Sequence, residues 1–124
     1  MDTPLTLLLV DGHQGVREAL ARRLSHATGV GAVVVAGDLE SAVVRARALA
    51  PDAIVCDPKT LLGSAQAVLA GLSGTHRPVV VLTSSLLDGE ESTLRCAGAA
   101  AVFLKGCPVA ELLAGIGAAR HAHG

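Results

Sequence analysis

The chain has 124 residues, of which 51% are hydrophobic but only Phe103 is aromatic, and its formal net charge is −1. This length fits one domain with a core of Ala, Val and Leu. A chain without a basic stripe does not have the electrostatic footprint of a DNA-binding domain. No uninterrupted apolar run approaches the roughly 18 residues of a membrane span, and no signal-peptide pattern begins the sequence. We therefore expect a cytoplasmic protein that contacts neither DNA nor a membrane by itself.

Strand and helix patterns alternate five times along the chain. Short apolar runs predict the strands, and apolar residues at helical spacing predict the helices. In chain order the predicted elements are a strand at 5–10, a helix at 16–27, a strand at 32–36, a helix at 39–49 capped by Asp38, a strand at 53–56, a short helix from Ser64 to 72, a strand at 78–82, a helix at 88–97, a strand at 101–104 and a helix from Pro108 onward.

This alternation predicts a single doubly wound α/β domain over residues 1–124. Strands that alternate with helices of this length form a parallel sheet through right-handed crossovers, with helices on both faces. The fourth strand is an unbroken run of β-branched and aliphatic residues, which indicates burial on both faces of the sheet. The sequence shows no linker, repeat or low-complexity segment.

Four polar residues end four of the predicted strands. Asp11, Asp57, Thr83 and Lys105 each follow or close a short apolar run. In an open parallel sheet the carboxyl ends of the strands meet at one edge, and that edge carries the chemistry. Each residue alone has an ordinary structural explanation, since Asp is common at helix caps and in turns. Their common position predicts one site.

The chain resembles the receiver domains of two-component response regulators, especially those of the subclass with a C-terminal helix-turn-helix. The resemblance covers essentially the whole chain, in order and at the right separations, and implies the five-stranded flavodoxin-like fold. The residues that carry it are 8–20, which include Val-Asp-Gly-His and Val-Arg, 51–57 with Asp57, 80–84 with Thr83, 97–99, and 103–105 with Lys105.

The resemblance implies a role for each residue of the site. Asp57 would accept a phosphoryl group from a histidine kinase, Thr83 would hydrogen-bond it, and Lys105 would pair with it. Asp11 and Asp57, with the backbone carbonyl of Lys59, would hold magnesium. Phosphoryl transfer needs positive charge around the equatorial oxygens, which a metal ion and a lysine provide.

The sequence departs from the family pattern at three places. Gly12 stands where the family usually has an acid that contacts magnesium, and losing a charged ligand weakens a divalent site. Residues 58–63 read Pro-Lys-Thr-Leu-Leu-Gly instead of the usual Leu-X-Met-Pro segment. The usual switch aromatic is Val102, and Phe103 should face the opposite side of its strand. Magnesium binding is therefore expected to be weak or absent.

Two questions about this site stay open at the level of sequence. Lys59 is either a solvated loop residue or a cation whose ammonium takes the place of magnesium between Asp11 and Asp57. Gly12→Asp would restore magnesium binding if the pocket is otherwise intact. If it did not, the loop that begins at Pro58 would also be incompatible with the metal.

Three functions fit these residues. The first is an atypical, pseudo-receiver regulator of transcription that acts through dimerisation, with weak or no magnesium-dependent phosphorylation. The second is a conventional receiver phosphorylated at Asp57. The third is a small-molecule-sensing module that uses the same crevice. In each case we expect a non-enzymatic protein, often a homodimer, that reaches DNA only through an output domain absent from this sequence.

Overall fold

The structure, a computed structural model, describes residues 3–123. Five strands alternate with five helices. The strands are β1 (Leu5–Val10), β2 (Val30–Ala36), β3 (Ala53–Cys56), β4 (Val79–Thr83) and β5 (Ala101–Leu104). The helices are α1 (Gln14–Ser25), α2 (Leu39–Leu49), α3 (Ala65–Ser73), α4 (Glu90–Cys96) and α5 (Val109–His123), and a single 3₁₀ turn (Pro58–Thr60) follows β3.

The strands form one parallel sheet in the order β2-β1-β3-β4-β5. This order confirms the predicted doubly wound fold and places the topological switch point between β1 and β3. Val10 pairs with Cys56 across that junction. The residues that follow them, Asp11 and Asp57, are therefore brought side by side at the carboxyl edge of the sheet.

Local capping sets the beginning of two helices. An Asp38 carboxylate oxygen accepts a hydrogen bond of 2.8 Å from the Ser41 backbone N–H, as the sequence predicts for the start of α2. The Ser64 hydroxyl accepts one of 3.1 Å from Ala67 N–H at the start of α3. Each bond satisfies one of the donors that a helix leaves unpaired at its first turn.

The core has two layers, one on each face of the sheet. Alternate residues of each strand point to opposite faces, so β4 supplies both layers and is buried along its whole length. One layer includes Leu8, Ile54, Val81, Leu69, Leu72 and Leu94 and lies under α2, α3 and α4. The other includes Leu7, Val55, Val80, Leu24, Leu112 and Ile116 and lies under α1 and α5.

Several predicted boundaries differ from the structure by one or two residues. α4 begins at Glu90 rather than Asp88, because Gly89 before it adopts φ 79°, outside the helical region. The helical spacing of Leu39, Ala42 and Ala46 predicts Leu49 on the same inner face of α2, but Leu49 is 46% exposed. It is the last residue of that helix, where the chain turns through Ala50. Within residues 3–123 no helix has the length and apolar character needed to cross a membrane.

Leucine truncation tests this layer assignment. Leu69 is fully buried, whereas Leu62 is 97% exposed in the loop before α3. We expect Leu69→Ala to lower the free energy of unfolding by about 2–5 kcal/mol, because it removes buried methyl groups and leaves a cavity. The matched control Leu62→Ala should change it by less than about 0.5 kcal/mol. Equal effects in urea denaturation would contradict the assignment.

Candidate functional site

The four predicted site residues converge at the carboxyl edge of the sheet. The Lys105 ammonium lies 2.7 Å from Asp11 Oδ2 and 2.7 Å from Asp57 Oδ2. The contact with Asp57 is a hydrogen bond as well as an ion pair. The Asp11 and Asp57 side chains are 1% and 3% exposed, so Lys105 neutralises two carboxylates that are almost withdrawn from water.

The remaining carboxylate oxygens are also occupied by protein donors. Asp11 Oδ1 accepts a hydrogen bond of 2.8 Å from the His13 backbone N–H. Asp57 Oδ1 accepts one of 3.2 Å from the Lys59 backbone N–H. Each of the four carboxylate oxygens therefore has a contact in the chain, although Asp11 Oδ2 meets Lys105 as an ion pair whose geometry does not make a hydrogen bond. Among residues 3–123 no group of three or more His, Cys, Asp or Glu side chains could hold a metal ion. A magnesium ion at this site would have Asp11 and Asp57 as its charged ligands and would have to displace Lys105 from both.

The pKa of Lys105 reflects this arrangement. Partial burial of the ammonium would lower its pKa, but the hydrogen bonds and charges of Asp11 and Asp57 outweigh burial and raise the pKa above the usual lysine value. Lys105 therefore remains charged at any physiological pH.

The Thr83 hydroxyl lies at the same edge and is buried without a hydrogen-bond partner in the structure. Thr83 is the last residue of β4 and is only 1% exposed. A buried hydroxyl without a partner costs free energy, which makes it a candidate to bind an incoming oxygen. Its position agrees with the role that the resemblance assigns to it.

The position of Gly12 is closed by the 3₁₀ turn. A Cβ atom built on Gly12 would lie 2.1 Å from the Thr60 backbone oxygen. No side chain fits there unless the turn moves. The structure therefore supports the second of the two alternatives for Gly12→Asp: the loop after Asp57 is itself incompatible with an acid at position 12.

Lys59 does not lie between the two carboxylates, so the hypothesis that its ammonium replaces magnesium there is wrong. Its ammonium lies 2.9 Å from Glu90 Oε1 and also donates to the Ser85 carbonyl. The Glu90 carboxylate in turn accepts from Leu87 N–H, and these contacts lower the pKa of Glu90. Lys59 is thus a partly exposed residue that links the 3₁₀ turn to α4, and Lys105 is the cation that joins Asp11 and Asp57.

Two further residues, which no sequence motif singled out, shape the site. The Arg17 guanidinium donates a hydrogen bond of 2.8 Å to the Asp11 carbonyl and packs on Gly37. The Thr60 hydroxyl contacts the backbone of Gly12 and Asp57. The Val-Arg pair after Gly12 indicated family resemblance but not this contact. A Thr three residues after an Asp is a common turn arrangement, which was the only signal for Thr60.

Val102 and Phe103 lie on opposite faces of β5, as strand alternation predicts. Val102 is buried in the layer under α3 and α4. Phe103 packs in the other layer, where its ring lies so close to Gly115 of α5 that a Cβ atom there would be 2.2 Å from Cζ. The aromatic ring is therefore fixed beneath α5 rather than placed beside the site.

A small cavity lies next to Lys105. It is lined by residues that include Leu20, Leu82 and Cys107 and has a volume of about 10 Å³. That is room for about one water molecule. Asp11, Asp57 and Thr83 are not among its lining residues, so this cavity lies beside the site rather than in it.

Comparison with known proteins supports the fold. No family model matches the chain. A curated relative, protein-glutamate methylesterase/protein-glutamine glutaminase 5 of Anaeromyxobacter dehalogenans, is 36% identical over 100 residues, which are 80% of this chain and 28% of that protein. The chain thus spans little more than a quarter of that relative, and the expectation that it is not an enzyme stays a prediction.

Solved receiver-domain structures superpose on nearly the whole chain. The signal receiver domain of NarL from Mycobacterium tuberculosis matches with a TM-score of 0.83 and 20% identity, over 97% of this chain and 98% of that one. A LuxR-family response regulator from Aurantimonas sp. SI85-9A1 matches with a TM-score of 0.83 and 23% identity, over 97% of this chain and 87% of that one. The receiver domain of Francisella response regulator 1452 matches with a TM-score of 0.80 and 16% identity, over 97% of this chain and 99% of that one. The chain has the receiver fold.

Removing the lysine tests its role as the shared counter-ion. Lys105→Met leaves two adjacent buried carboxylates without a cation, so we expect it to lower the free energy of unfolding at pH 7 by about 2 kcal/mol or more. The control Lys59→Met removes a partly exposed pair with Glu90 and should cost about 1 kcal/mol or less. Chemical denaturation measures both. Equal losses would show that Lys105 is not the residue that neutralises the carboxylates.

The raised pKa of Lys105 predicts a loss of stability at alkaline pH. The folded state holds the Lys105 proton more tightly than the unfolded state does. The charged lysine therefore contributes fully to the free energy of unfolding below about pH 10.4, the pKa of lysine in the unfolded chain, and this contribution is lost as pH rises through the pKa in the folded state. Lys105→Arg keeps its charge throughout this window. We expect the unfolding free energy to fall more steeply above pH 10.4 in the parent than in this variant. Parallel curves would contradict the assignment.

Proposed function

We propose that the chain is an atypical receiver domain of a response regulator in two-component signalling, with weak or no magnesium-dependent phosphorylation. The observation that carries this proposal is the state of the two carboxylates. Lys105 neutralises both groups, the Oδ1 atoms of Asp11 and Asp57 accept backbone hydrogen bonds, and Asp11 Oδ2 is held by the ion pair alone. The receiver fold and the position of Thr83 support assignment to the receiver type of regulator.

The chemistry of phosphoryl transfer explains why the reaction at Asp57 would be slow. The transferred group carries its charge on three oxygens, and catalysis consists mainly of positioning and positive charge. The cation in contact with Asp57 is Lys105, which is shared with Asp11. Asp57 is also held in a hydrogen bond from the Lys59 backbone, so attack on a phosphodonor requires these contacts to rearrange.

A conventional phospho-aspartate receiver is the second candidate, and one observation favours it. Thr83 keeps a buried hydroxyl with no partner at the edge where Asp57 and Lys105 meet. An oxygen of a phosphoryl group on Asp57 would satisfy that hydroxyl. In this case the Lys105 ammonium would exchange Asp11 for the phosphoryl oxygens.

Partners and output follow from the proposed class of regulator. Under either candidate the chain would exchange signals with a histidine kinase or another protein, and a homodimer would transmit the state of the site. Control of transcription would require a DNA-binding output domain, because the formal net charge of −1 gives this chain no general affinity for nucleic acid.

Phosphorylation from a small donor separates the two candidates. The chain is incubated with acetyl phosphate, with and without magnesium, and its intact mass is measured. We expect little adduct and no dependence of the yield on magnesium. Asp57→Asn is the control for the site of modification. A magnesium-dependent phosphoryl adduct that disappears in Asp57→Asn would establish the conventional receiver instead.

A further inference from the structure

The space beside Gly12 is occupied by the 3₁₀ turn on the other side of the site. The atom that a Gly12 Cβ would meet at 2.1 Å is the backbone oxygen of Thr60, and the Thr60 carbonyl carbon lies 3.0 Å away. Both are main-chain atoms, so no side-chain rotation relieves the contact. The space that a side chain at position 12 would need is therefore already filled by the 3₁₀ turn.

The Thr60 side chain fixes the turn in this position. Its hydroxyl accepts a hydrogen bond of 2.8 Å from Gly12 N–H and donates one of 2.8 Å to the Asp57 carbonyl. Thr60 N–H donates to the same carbonyl at 3.2 Å. One residue thus ties the turn to the chain after β1 and to the end of β3. Pro58, which has a fixed φ, begins the turn and limits its freedom further.

We propose that Thr60 is the residue that determines which cation this site holds. By holding its own carbonyl against Gly12, Thr60 excludes a third carboxylate, and the site is left with two carboxylates and one built-in ammonium, that of Lys105. The inference rests on the proposed function and deepens it. Gly12 and Thr60 form a matched pair, so that changing Gly12 alone does not convert the site to a metal site.

Stability measurements test the matched pair with the smallest possible change. Gly12→Ala adds only the Cβ atom, and Gly15→Ala is its control because a Cβ there has no neighbour within 4 Å. Thr60→Val removes the hydroxyl and keeps the branched shape, whereas Thr60→Ser keeps the hydroxyl. Melting temperatures are measured for each single variant and for Gly12→Ala combined with each change at Thr60.

We expect Gly12→Ala to lower the melting temperature by roughly 5–15 °C, the range for overpacking in a domain of this size. Gly15→Ala should cause no loss. In the Thr60→Val background, Gly12→Ala should lower the melting temperature by less than half as much as it does in the parent chain, because the turn can move away. In the Thr60→Ser background the loss should remain.

Metal binding is measured with Mn²⁺ by the electron paramagnetic resonance signal of the free ion. The combination Gly12→Asp and Thr60→Val should bind Mn²⁺ at least tenfold more tightly than either the parent or the combination Gly12→Asp and Thr60→Ser. Gly12→Asp alone should remain without saturable binding.

The outcomes that overturn this inference differ from those that overturn the proposed function. The role of Thr60 is wrong if Gly12→Asp alone binds Mn²⁺, if the melting-temperature losses at positions 12 and 60 add, or if the combination with Thr60→Val gains no Mn²⁺ affinity. Tight Mn²⁺ binding by the unaltered chain would instead contradict the metal-independent site on which the proposed function rests.

Discussion

The site depends on the neutralisation of two buried carboxylates by one ammonium group. Asp11 and Asp57 are almost fully withdrawn from water, and each has an oxygen 2.7 Å from Lys105 Nζ. Two like charges this close and this buried require a cation, because a buried charge without a partner costs a large free energy of desolvation. A metal ion would meet the same need. In this chain Lys105 meets this need, and the backbone N–H groups of His13 and Lys59 donate to the other oxygens of Asp11 and Asp57.

The fold makes this arrangement possible by bringing distant parts of the chain to one edge. Asp11 and Asp57 follow neighbouring strands β1 and β3, and Thr83 and Lys105 come from β4 and β5. The same fold occurs in receiver domains of low sequence identity, so it does not by itself decide what the site binds. We infer that the local contacts of Gly12 and Thr60 determine what the site binds, because they limit how many carboxylates can lie beside Lys105.

Most of the fold could be predicted from the sequence because its strands are short apolar runs ended by polar residues. β1, β3 and β5 have the predicted bounds, and Asp38 and Ser64 cap the predicted helices. The convergence of Asp11, Asp57, Thr83 and Lys105 could also be predicted, because all four stand at the carboxyl ends of predicted parallel strands. The partner of Lys59 could not be predicted, because Glu90 lies 31 positions away in the sequence and a lysine side chain is flexible. The closure at Gly12 depends on a turn whose conformation has little sequence signal.

The most direct test of this account is the melting temperature of the unaltered chain in about 10 mM magnesium chloride, compared with sodium chloride of equal ionic strength. Metal bound with a dissociation constant of about 0.1 mM would stabilise the fold by about 2.7 kcal/mol under these conditions. The account predicts no difference between the two salts, because Lys105 already neutralises Asp11 and Asp57. A magnesium-specific rise of several degrees would contradict it.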